Sequence, residues 1–249
     1  MEALVYSFLA GMSMVLGAMV VTFFGRPGDK ALSALLGFAA GIMLAISAFD
    51  LIPEAIEFSS LAHAAIGFVL GAGMMYVLDL IIPHTHMTGE MDGPVKPLDQ
   101  EASRSDNIRR TGYLIFLGIA LHNIPEGLAI GAGLESSPSL GLYIAIAIGL
   151  HNIPEGMAVA GPLSAGGLTG SRVLLLTLLA GMMTPVGALL SLAVFGISVA
   201  LVGIGMALAA GAMVYIVSDE LIPQSHRYHS HMANFGILGG FLLGFMLTG

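Results

Sequence analysis

The chain has 249 residues, 56% of them hydrophobic and only 10% charged, with a mean hydropathy of +0.91. That composition excludes an ordinary soluble domain and reads as an all-α integral membrane protein, with the lipid bilayer as its surroundings. A net charge of -8 without a basic patch argues against nucleic acid as a partner, and the lack of cysteine excludes disulfides and thiolate metal sites.

Eight apolar stretches follow in order, at roughly 3–24, 31–56, 62–83, 112–134, 139–163, 172–195, 199–223 and 231–248. The first, Ala3 to Phe24, is long for a signal peptide and reads as a spanning helix. The second ends in Asp50-Leu-Ile-Pro53, with Glu54, Glu57 and His63 close behind, and the third in Asp79-Leu-Ile-Ile-Pro83. A segment rich in Pro, Asp, Ser and Gly, about 84–111 and including His84 and His86, reads as a flexible loop within a single 1–249 domain. The fourth and fifth stretches each contain the hexapeptide HNIPEG, at His122–Gly127 and His151–Gly156, and are split at the turn Glu135-Ser-Ser-Pro-Ser139. From Val173 to Val217 no charge occurs; as one helix this would measure about 68 Å against roughly 30 Å of hydrocarbon, so it turns back near Gly196–Ser198. The seventh stretch ends in Asp219-Glu-Leu-Ile-Pro223, and His226, His229 and His231 precede the eighth.

The acid-to-proline endings of spans two, three and seven fit ordinary helix termination by proline. They also fit a repeat. With the two HNIPEG spans at the centre, the pattern is three spans, a two-span core and three more, a 3+2+3 arrangement. Orientation follows from the basic residues. Arg26 and Lys30 fall between spans one and two; Lys96, Arg104, Arg109 and Arg110 between three and four; Arg172 between five and six; Arg227 between seven and eight. All eight lie in odd-numbered loops, so those loops are cytoplasmic and both termini are outside.

A histidine and a glutamate four residues apart share one helix face, so each HNIPEG presents an imidazole and a carboxylate together. The intervening proline frees the carbonyl one turn earlier, of Leu121 and of Leu150. Ionisable groups at membrane depth are costly and mark function. His122, Glu126, His151 and Glu155 are therefore the candidate metal ligands, a nitrogen and carboxylate set that suits zinc and other first-row divalent ions. The competing reading pairs each histidine with its own glutamate, or has both satisfy buried backbone groups; two identical copies in adjacent antiparallel spans weigh against it. Asn123 and Asn152 either add amide oxygens or bond between helices. Asp50 and Glu54 mark a candidate entrance, and Asp79, His84, His86, Asp219 and Glu220 a candidate exit.

The paired HNIPEG motifs and the VSDELIP ending of span seven resemble the ZIP (Zrt/Irt-like) family of divalent-metal transporters, in particular its bacterial ZupT-like branch. The resemblance covers most of the chain. It implies uptake of Zn2+, with Fe2+, Mn2+, Co2+ and Cd2+ as further substrates, into the cytoplasm, no catalytic cofactor, and a homodimer in the cell membrane, the bacterial inner membrane. It also implies a transport site on His122, Glu126, His151 and Glu155 with Asn123 and Asn152 beside them. One position departs from the family pattern: Thr184, in Gly181-Met-Met-Thr184-Pro185, stands where the sixth span often carries a glutamate facing a second metal. A second position would then lean on Glu155 for charge. An intramembrane metalloenzyme is the main rival, but its HExxH signature is absent, and the motif here is HxxPE. A sensor would need an output domain that the short loops do not supply.

Overall fold

The computed structural model describes residues 2–81, 100–195 and 198–248. Among these residues, eight helices are long and apolar enough to cross a membrane: Glu2–Phe24, Asp29–Phe58, Leu61–Leu78, Ile115–Ser136, Pro138–Ala165, Gly170–Ala193, Ala200–Arg227 and His229–Leu247. They are spans one to eight. In hydrocarbon each backbone N–H and C=O must find its partner inside the segment, which is why apolar runs of this length become helices. The sequence places all eight.

Local chemistry sets the turns. Gly25 adopts a positive φ of 83° at the end of span one, and Gly167, at 84°, does the same after span five. Ser137 caps span five by accepting from the Leu140 N–H at 3.2 Å, with Pro138 in the first helical turn. His229 leaves helical geometry, with φ -164° and ψ 97°, and so separates span seven from span eight. The Ser33 hydroxyl lies 2.6 Å and 2.8 Å from the carbonyls of Ser225 and His229, tying span two to that kink.

Spans one to three recur as spans six to eight. Span one packs on span five and span six on span four; span two packs on spans five and eight, and span seven on spans four and three. Individual contacts repeat in the same register. A methyl group on Gly156 would strike the carbonyl of Met14, and one on Gly127 the carbonyl of Thr184. Met14 and Thr184 are 170 positions apart, as are Gly11 and Gly181, whose backbones touch. Because span one is odd and span six even, the two triplets cross in opposite directions. The 3+2+3 pattern is thus an inverted repeat around spans four and five.

Two sequence expectations change. Pro53 and Pro223 do not end their helices. Each follows a π turn, Ser47–Leu51 and Val217–Leu221, again 170 residues apart, in which the N–H of Ile52 bonds Ser47 and that of Ile222 bonds Val217. Proline lacks the N–H for the carbonyl one turn back and its ring crowds that carbonyl; one extra residue in the turn relieves both, and the helix continues. The helix that contains span four also begins at Gln100, so 100–111 of the expected loop is helical. Residues there extend an existing helix without a new nucleus. His84 and His86 lie outside the described residues.

Candidate metal centre

Spans four and five bring the two hexapeptides face to face in the centre of the molecule. His122 and His151 are 3% and 0% exposed, Glu126 and Glu155 0% and 2%. Their ligating atoms all lie within 4.8 Å of one another, and among the described residues no other cluster of three or more such groups forms.

The pairing crosses between motifs. Glu126 Oε1 stands 3.0 Å from His122 Nε2 and 2.7 Å from His151 Nε2, while His122 Nε2 is 3.4 Å from Glu155 Oε1. His151 therefore pairs with the glutamate of the other copy, which disposes of the reading in which each histidine serves its own. With metal–ligand bonds of about 2.1 Å, neighbouring donors on a tetrahedral zinc stand about 3.4 Å apart. The separations in this set, 4.8 Å at most, are close to that spacing.

Asn123 and Asn152 both bond between helices. The Nδ2 of Asn123 donates to the Ala180 carbonyl of span six at 2.8 Å, and that of Asn152 to the Ala10 carbonyl of span one at 3.0 Å. Their Oδ1 atoms remain buried without a partner. So do the second carboxylate oxygens of Glu126 and Glu155, the Nδ1 atoms of both histidines, and the Thr184 hydroxyl. Buried polar atoms are nearly always satisfied, because desolvation without a bond costs on the order of 1–3 kcal/mol each. A cation held by the four clustered side chains would take up the unsatisfied carboxylate oxygens among them.

The expected path ends are less closely joined. Asp50 sits in the first π turn, 7% exposed, and Glu54 one turn on accepts from the Ser136 hydroxyl at 2.6 Å. Asp219 and Glu220 occupy the second π turn, half-buried. None of these four joins the central cluster. The side chain of Asp79, with His84 and His86, lies outside the described residues. Met14 was not anticipated: it is fully buried with its Sδ 3.1 Å from Asn123 Nδ2. A signal existed in the match between Ala10-Gly-Met-Ser-Met14 and Ala180-Gly-Met-Met-Thr184.

Residues 82–248 match the family model described as ZIP Zinc transporter. The chain is 36% identical over 255 residues to "Zinc transporter GufA" of Myxococcus xanthus, covering 98% of this chain and 96% of that protein. It is 37% identical over 258 residues to "Zinc transporter ZupT" of Escherichia coli strain K12 / DH10B, covering 98% and 95%.

Proposed function

Because the chain belongs to the ZIP zinc transporter family, we propose that it moves Zn2+, with Fe2+, Mn2+, Co2+ and Cd2+ as further substrates, across the cell membrane into the cytoplasm through the His/Glu cluster on spans four and five. The observation that carries this reading is the convergence of His122, Glu126, His151 and Glu155 at the centre of eight spanning helices. Two imidazoles and two carboxylates give a divalent ion four donors and two compensating charges in place of its water. Asn123 and Asn152 stand beside them with free oxygens.

All four ligands are closed off, so an ion reaches them only when spans part. Passage is then carrier-like. Asp50 and Glu54 serve as the entrance, and Asp79, His84, His86, Asp219 and Glu220 as the exit. We read the protein as a transporter without catalytic activity and as a homodimer, which sizing in detergent would check. Sealed vesicles containing only the purified protein should take up Zn2+ with saturation, and Cd2+ should compete. Vesicles with inserted protein and no uptake above protein-free controls would refute the proposal.

A further inference from the structure

Asn123 is gripped from two sides. Its Nδ2 faces the Ala180 carbonyl of span six at 2.8 Å and the Met14 Sδ of span one at 3.1 Å. A carbonyl only accepts, so the amide must point its nitrogen that way, and both of its hydrogens are committed. Its Oδ1 is left buried and unpartnered. Met14 is itself fully buried, and its carbonyl abuts Gly156 of the other motif, so it touches both halves of the centre.

The inverted repeat supplies an internal comparison. Asn152 is the counterpart of Asn123, and its bond to Ala10 matches the bond of Asn123 to Ala180, 170 positions further on. The counterpart of the Met14 contact would join Asn152 to Thr184. It does not form: the Thr184 hydroxyl has no partner. One amide is held by two acceptors and the other by one.

We propose that Met14 is a positioning residue for the cation site, its thioether locking the Asn123 amide so that Oδ1 is presented to the ion and Asn123 becomes the stronger of the two amide donors. The inference rests on reading Asn123 as a ligand. Met14→Leu keeps the volume and removes the acceptor. In equilibrium binding of Zn2+ to the purified full chain, this variant should raise Kd about tenfold, the scale of losing an outer partner of a metal ligand. The uptake KM should rise with it while Vmax stays put, and the zinc-free protein should melt only slightly lower, by the loss of one weak N–H···S bond. In an Asn123→Ala background, Met14→Leu should add nothing, since the two changes remove one interaction.

Equal effects of Met14→Leu in both backgrounds would overturn the positioning role while leaving Asn123 a ligand. A change in Cd2+ over Zn2+ preference that persists in Asn123→Ala would also overturn it, since the sulfur would then touch the ion directly. Wild-type zinc affinity in Asn123→Ala would remove the ligand assignment and the proposal together. Should Met14→Leu fail to fold, the ranking of single variants decides: Asn123→Ala must weaken zinc binding more than Asn152→Ala, and the reverse or equal order counts against the lock.

Discussion

Glu155 offers one oxygen 3.4 Å from His122 of the other motif and a second oxygen with no partner. Removing a direct ligand should exceed the loss from removing an outer one, so Glu155→Ala should cut zinc uptake by at least about a hundredfold with membrane insertion unchanged. Uptake per inserted protein checks this; wild-type rates would refute the site. Thr184 gives a second prediction. Its hydroxyl is neutral, buried and one turn from the glycine seam with span four, so the unmodified protein should hold one tight divalent ion per protomer. Thr184→Glu should add a second tight ion, read as metal stoichiometry at equilibrium; two equally tight ions in the unmodified protein would contradict it. The four clustered side chains were legible because an ionisable side chain is costly in an apolar span, and the same hexapeptide carries two of them into each of two adjacent spans. Met14 was not, since buried methionine is an ordinary gap-filler and only its neighbour distinguishes it.

Helix contacts at the scale of whole elements rest on backbone touching backbone. Gly11 of span one and Gly181 of span six leave no room for a side chain on either. Gly11→Val and Gly181→Val should each destabilise by about 1–3 kcal/mol or more, and by similar amounts, because they sit at equivalent places in the repeat. Gly73 has open space around it, and Gly73→Val should leave the melting temperature in detergent nearly unchanged. A melting curve for each variant tests the contrast. Hydropathy located the spans within a few residues because burial in lipid depends on apolar length, which a sequence displays directly. The π turns before Pro53 and Pro223 were hidden, since a proline that stops a helix and one that widens it leave the same letters. The choice is made by packing, as span two lies against span five and span seven against span four.

Across the whole molecule, the inverted repeat fixes the relative direction of the spans, and the basic residues predict their sides, with the turn between spans four and five outside and that between five and six inside. The chain has no cysteine, so single thiols report cleanly. Ser139→Cys, exposed on the first turn, should react with an impermeant reagent in intact cells, whereas Thr169→Cys, exposed on the second, should react only after the membrane is opened. The opposite pattern would exchange entrance and exit. The central cluster has a further consequence for how such a cell's voltage acts. Glu126 and Glu155 bring two formal negative charges to the middle of the membrane, and a divalent ion cancels both. In the carrier reading proposed above, the loaded centre would be electrically silent, so a membrane potential would do no net work in carrying it across. Emptied, a centre that moved with both carboxylates ionised would carry a net double negative charge, worth about 2.3 kcal/mol per charge for each 100 mV crossed. In that reading, voltage would act on the return of the empty centre and not on delivery of the metal.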